Sequence, residues 1–184
     1  MAKIADIYYK IDPWKVIEAG FDESRNMVSE SIFSLGNEYM GVRGYFEEGS
    51  ACDGLLGSYF NGVYEYSDVN KSAYKGIVDH SHFMVNSVDW LFTRIFIDGE
   101  QLDLKTASFD SFFRVLDLRE GTLKREFVWH TRRGKSLKVK FLRFLNMDKN
   151  SQGFQRIAFE PINFSGLYIF TNTLSSAKLL VCVY

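Results

Sequence analysis

Apolar and polar residues alternate with a period of two along most of this chain, the pattern of strands that bury one face and wet the other. Between positions 123 and 131, Leu123, Phe127 and Trp129 share one face while Lys124, Glu126 and His130 share the other. Arg133-Gly134 interrupts, and Leu137, Val139 and Phe141 then alternate with Lys138 and Lys140. Two alternating runs about a short glycine-containing turn predict an antiparallel hairpin. A second hairpin is predicted at Asp98-Gly99, between the runs 93–97 and 101–104, because Asp-Gly suits the two positive-φ positions of a tight turn. Further strands are predicted over 14–19, 29–35, 83–88, 113–117, 154–160 and 167–174. No segment holds a helical period for three turns. Many short strands between Gly, Asn and Asp turns predict an all-β chain folded as an antiparallel β-sandwich.

The stretch 36–62 departs from this regularity. It carries Gly36, Gly41, Gly44, Gly49, Gly54, Gly57 and Gly62 among Tyr39, Tyr45, Phe46, Tyr59 and Phe60. Such glycine density predicts sharp turns and close backbone packing, with the aromatics supplying burial. A phosphate-loop reading of Gly36-Asn-Glu-Tyr-Met-Gly41 fails, because Val42-Arg43 stand where Lys and Ser/Thr would have to reach phosphates and magnesium.

Length and composition narrow the classes. The 184 residues fit one domain, with 46% hydrophobic and 16% aromatic residues, too many for a disordered chain. Lys+Arg 22 against Asp+Glu 23 leaves a net charge of −1, which offers no field for nucleic acid or an anionic membrane surface. No apolar run reaches the roughly 20 residues of a membrane helix, and residues 1–10 lack a secretory signal pattern. Cys52 and Cys182 alone make no disulfide framework, so the expectation is a reducing cytoplasm.

Candidate chemistry is sparse. His80-Ser81-His82 beside Asp79 could face a metal from one strand, but His130 is the only other histidine, so these read as ordinary strand or loop residues. Glu47 and Glu48 would point to opposite faces if extended and read as a solvated loop; neither they nor Asp117 is assigned as a catalytic acid. Cys52 has no basic neighbour to activate it. Trp14, Trp90 and Trp129 lie in strand-like runs, where core burial is the expected use rather than a sugar-stacking platform. No catalytic, cofactor-binding or metal residue is assigned, and substrate-binding residues stay unknown.

One stretch is more specific. Glu30-Ser-Ile-Phe-Ser-Leu-Gly-Asn-Glu-Tyr-Met-Gly-Val-Arg-Gly44, followed by Gly57-Ser-Tyr-Phe-Asn-Gly-Val-Tyr-Glu65, resembles the N-terminal signature of glycoside hydrolase family 65. Arg114-Val-Leu-Asp-Leu-Arg-Glu-Gly-Thr-Leu-Lys-Arg-Glu-Phe127, Arg143-Phe-Leu-Asn146 and Gln155-Arg-Ile157 resemble its following blocks, so the likeness spans about 14–166. The resemblance implies a galactose-mutarotase-like supersandwich that, in this family, precedes an (α/α)6 barrel holding the catalytic glutamate. It implies an inverting phosphorylase of α-glucosides such as maltose, trehalose, kojibiose or nigerose, or a hydrolase, with inorganic phosphate as co-substrate and no other cofactor. This chain, one N-terminal domain over 1–184, is then expected to be non-catalytic. It would support the barrel in cis, shape the active-site entrance and contribute to a homodimer, with no nucleic-acid or membrane partner.

Two departures carry expectations. The family reads Asn-Gly where Asn37-Glu38 stands, so a positive φ at Glu38 would cost about 1–2 kcal/mol. The tail 172–184 leaves the family pattern, and its run Leu179-Leu-Val-Cys-Val183 suggests a sandwich incomplete at its C-terminus. That run would either stay an exposed, self-associating edge or fold back as a substitute edge strand. Two rivals stay open: a free-standing carbohydrate-binding module, needing an exposed aromatic platform, and a mutarotase-like epimerase, needing a histidine and a carboxylate converging in a groove.

Overall fold

The computed structural model describes residues 8–10, 12–52, 54–68 and 80–165, and the backbone of Ile169–Asn172 and Leu179–Val183. The strands are β1 (Lys15–Ala19), β2 (Leu35–Gly36), β3 (Met40–Val42), β4 (Ser58–Phe60), β5 (Tyr64–Asp68), β6 (His80–Met84) and β7 (Thr93–Ile97). They continue with β8 (Glu100–Gln101), β9 (Ser108–Asp117), β10 (Thr122–His130), β11 (Ser136–Leu145), β12 (Gly153–Pro161), β13 (Ile169–Asn172) and β14 (Leu179–Val183). One helix, α1 (Asn26–Ile32), follows β1.

The alternating runs form the main layer, a six-stranded sheet in the order β1-β9-β10-β11-β12-β14. Its inner face presents Phe127, Trp129, Leu137, Val139, Phe141, Ile157 and Phe159 to Ile95, Ile97, Leu102 and Leu104 from β7, β8 and the loop beyond, and this interdigitation is the core of the sandwich. The second layer is divided between the three-stranded sheets β13-β7-β8 and β2-β3-β4. Both predicted hairpins form. Asp98 (φ 51) and Gly99 (φ 80) take the two left-handed positions between β7 and β8. Gly134 (φ 78) turns β10 into β11, where the Thr131 N–H donates to the Lys135 carbonyl at 2.8 Å.

Several expectations change. The strand predicted at 83–88 lies earlier, at His80–Met84, and residues 85–88 are outside any strand. Residues 29–35 are not one strand, because α1 occupies Asn26–Ile32. The helix starts after a turn capped by Asp22, whose carboxylate accepts from the Ser24 N–H at 3.0 Å. Its buried stripe, Asn26, Ser29, Glu30 and then Phe33, has helical spacing but is mostly polar, so counting apolar residues misses it. The strand predicted at 113–117 begins at Ser108, because Ser111 (φ 55) is the extra residue of a β-bulge at which the register shifts between Glu126 and Val128. The bulge turns both Phe109 and Phe112 onto Phe127, with ring centroids 5.9 and 6.2 Å away. Glu38 is unstrained, since Asp98 and Ser111 are the only non-glycine residues with positive φ among those described. Finally, Leu179–Val183 pairs in parallel with β12, Gln155 opposite Leu179 and Phe159 opposite Val183, so the backbone of the tail takes the edge-strand course.

Candidate functional site

Cross-strand register places Glu18 of β1 opposite Arg114 of β9, and Arg114 opposite Arg125 of β10, in one row of the inner face. The neighbouring row carries Leu123, Arg143 and Gln155. Each of the three arginines is at most 4% exposed. A charge so deeply placed requires a partner: Glu18 provides it for Arg114, and the segment 43–49 lies against all three arginines with Glu47, Glu48 and two backbone carbonyls.

The Arg114 guanidinium donates to Glu18 Oε2 through Nε at 2.6 Å and to the Gly44 carbonyl at 3.1 Å. Arg125 Nη2 donates to Glu47 Oε2 at 2.8 Å, and Nη1 to Glu48 Oε1 at 2.7 Å. Arg143 Nη2 donates to the Arg43 carbonyl at 3.1 Å, and Nη1 lies 3.7 Å from Glu47 Oε1. The expectation of a solvated loop is therefore overturned: Glu47 is 3% and Glu48 0% exposed. The two carboxylates reach one guanidinium because the backbone turns there instead of running extended, the Gly49 N–H donating to the Phe46 carbonyl at 3.2 Å. Burial acts to raise the Glu47 carboxyl, but Arg143 and Arg125 outweigh it and hold the group below the usual carboxylate range. Glu48 shares only Arg125, so burial prevails and its carboxyl is raised. The void within this cluster is about 10 Å³, too small for a sugar. Its chemistry is to pin the crossing segment to the sheet.

Two larger concavities are found among the described residues. One, about 450 Å³, lies on the outer face of the six-stranded sheet, where Ile17, Val115, Lys124, Leu142 and Arg156 form a continuous cross-strand row. No histidine lines it. The other, about 300 Å³, lies beside α1. There Glu30 accepts from Asn26 Nδ2 at 3.0 Å and from the Leu55 N–H, and the Tyr45 hydroxyl donates to Asp89 Oδ1 at 2.7 Å. Cys52 on its wall is buried, and burial pushes its thiol up, away from a reactive thiolate.

The remaining sequence candidates do not converge. Trp90 and Trp129 are buried as expected, whereas Trp14 is 47% exposed under the Arg119 guanidinium, 4.5 Å from its ring centre. His130 bridges Ser136 Oγ (2.9 Å) and Asp110 Oδ2 (2.8 Å) on the outer face, away from the groove. His80 and His82 lie on β6, and His80 Nδ1 meets Asp68 Oδ1 at 2.8 Å; Asp79 lies outside the described residues. Strands β5 and β6 are exposed at each of their positions, and Tyr66 sits beside both histidine rings, with centroids 5.7 and 6.1 Å away. Sequence reasoning missed the buried arginines. Their signal was available: Arg125 is in phase with Leu123, Phe127 and Trp129, an inward position for a charge.

Comparison with known proteins follows the same geometry. A family model for the glycosyl hydrolase family 65 N-terminal domain matches residues 16–177. Alpha,alpha-trehalose phosphorylase of Thermoanaerobacter brockii is 31% identical over 171 residues, covering 90% of this chain and 22% of that protein. Maltose phosphorylase of Bacillus subtilis is 31% identical over 140 residues, covering 76% of this chain and 18% of that protein. A solved structure of a putative kojibiose phosphorylase from human microbiome superposes with a TM-score of 0.77 at 43% identity, covering 84% of this chain and 20% of that one. The chain thus spans about a fifth of the length of the relatives it matches.

Proposed function

We propose that this chain, which belongs to the glycosyl hydrolase family 65 N-terminal domain family, is the non-catalytic β-sandwich of an inverting α-glucoside phosphorylase. The observation that carries the reading is the match over residues 16–177 combined with relatives about five times as long, phosphorylases of trehalose and maltose among them. In inverting phosphorolysis one carboxylic acid protonates the leaving oxygen while phosphate attacks from the opposite face, taking the place of the activated water. The most deeply buried carboxylates here are engaged otherwise: Glu47 and Glu48 with Arg125, Glu18 with Arg114. The acid and the phosphate site then belong to a barrel joined in cis, and this domain braces that barrel, borders its entrance and contributes to a homodimer. Inorganic phosphate is the co-substrate of the larger enzyme and cytoplasm its compartment. Among the described residues no helix is long and apolar enough to cross a membrane.

The test is a graft. This chain, fused in place of the corresponding part of a kojibiose or trehalose phosphorylase, is expected to preserve release of glucose 1-phosphate, while the chain alone releases none. Turnover by the chain alone, abolished by substituting one of its own residues, would overturn the reading. The mutarotase-like rival is disfavoured by the outer groove, which lacks a histidine.

A further inference from the structure

The β5–β6 hairpin is unusual in what it displays. Its register places Tyr64 opposite Met84, Tyr66 opposite His82 and Asp68 opposite His80, so these six side chains share one face. The other face carries Glu65, Ser67, Ser81 and Phe83. Tyr64 is 52% and Tyr66 65% exposed, although a two-stranded hairpin without a packed face is only marginally stable in water. Four of the five rings in the two strands, Tyr64, Tyr66, His80 and His82, lie on the first face, and Phe83 alone lies on the second. The gathered rings also have a common chemistry: each of Tyr64, Tyr66, His80 and His82 pairs an apolar ring with a hydrogen-bonding atom, and the Asp68 carboxylate lies beside them. Amphipathic rings flanked by polar atoms match a pyranose, which has an apolar C–H face and a rim of hydroxyls.

We propose that this face, centred on Tyr66 and His82, is a carbohydrate-contacting surface for α-linked glucose disaccharides, Tyr66 stacking on one sugar ring while the histidines and Asp68 bond its hydroxyls. The ligand class rests on the phosphorylase reading; the location rests on the hairpin alone. From Tyr64 to Asp68 the strand advances about 14 Å, enough to lie along two sugar rings. His80 Nδ1 lies 2.8 Å from Asp68 Oδ1, and its ring stands at an interplanar angle of 85° to that of Tyr66.

The test uses the chain by itself, so its result is independent of the barrel and of the graft experiment. Saturation-transfer NMR is recorded with maltose, trehalose and kojibiose, and with cellobiose and glycerol as controls. The α-linked disaccharides are expected to receive saturation, and Tyr66→Ala is expected to weaken binding roughly three- to tenfold. Tyr66→Phe should retain most of it, because the stacking ring remains. Tyr66 is solvent-exposed, so both variants should melt as the parent does, and circular dichroism checks this. Absence of transfer to every disaccharide, transfer to glycerol as strong as to maltose, or transfer unchanged in Tyr66→Ala and His82→Ala would each overturn the assignment. A failed graft with intact transfer would instead count against the phosphorylase reading.

Discussion

Arg125 Nη2 lies 2.8 Å from Glu47 Oε2 inside the sandwich, with 3% and 4% of their side chains exposed. Two residues 78 positions apart in the chain therefore share one buried ion pair, and Glu48 joins it through Nη1 at 2.7 Å. The pair ties an irregular, glycine-rich crossing to a regular sheet. Breaking a buried ion pair from one side leaves a desolvated charge without its partner, which costs more than the pair contributes.

The two glutamates are not equivalent. Glu47→Gln strips Arg143 of its only carboxylate neighbour in this cluster and weakens Arg125 as well. Glu48→Gln leaves both arginines beside Glu47. The first is expected to cost about 3–5 kcal/mol and the second about 1–3 kcal/mol. Urea denaturation of the two variants checks the order, and equal or reversed costs would contradict this account of the cluster.

Acid should act through the same pair. Glu47 is held below its ordinary range in the folded state because Arg143 and Arg125 outweigh its burial, so the unfolded chain binds that proton first. Its contribution to stability is complete above the ordinary glutamate value of about 4.3 and is lost as pH falls through the depressed folded value. Glu48 has the opposite sign: burial raises it, the folded state protonates first, and its protonation favours folding as pH falls through the raised value. The stability gap between the parent chain and Glu47→Gln is therefore expected to narrow towards pH 3, as read from urea midpoints over an acid series. A gap that stays constant or widens would show that Glu47 is not the depressed group.

Gly44 lies under Arg114 and against α1. A Cβ there would stand 2.8 Å from Phe33 Cβ and 3.0 Å from the Phe33 carbonyl oxygen. Backbone cannot step aside as a flexible side chain can, so Gly44→Ala is expected to cost about 1–3 kcal/mol. Gly36→Ala meets nothing closer than 3.9 Å and should change stability by no more than about 0.5 kcal/mol. Thermal melts of the pair test whether glycine density here reflects close packing at particular positions.

The tryptophans provide an optical check. Trp14 is 47% exposed while Trp90 is 9% and Trp129 0%. Acrylamide is expected to quench one component of the fluorescence readily, and Trp14→Phe to remove that component. If Trp14→Phe left it in place, the buried positions of Trp90 or Trp129 would be in error.

The strands of the main sheet were largely legible from local pattern, and their limits show why. Leu123, Phe127 and Trp129 lie inward as the alternation requires, yet Arg125 lies inward with them. The helix leaves no apolar period in the sequence because its buried stripe is polar, with Ser29 Oγ donating to Glu18 Oε1 at 2.7 Å. Alternation reveals only the second half of β9 because a bulge at Ser111 breaks the period.

The antiparallel hairpins and the family are written in short stretches of chain, because side-chain alternation, the turn chemistry of Asp98-Gly99 and the strings around Gly44 and Arg114 are local properties of neighbouring residues. Which charges are buried and which aromatics are not depends on contacts between segments far apart in the chain. A charge can enter a core when a partner arrives to neutralise it, and the partners of Arg114 and Arg125 lie 96 and 77 or more positions away. Tyr64 and Tyr66, by contrast, stay in solvent because among the described residues nothing packs over their hairpin. Neither outcome is encoded within a window of a few residues; both depend on how remote segments meet.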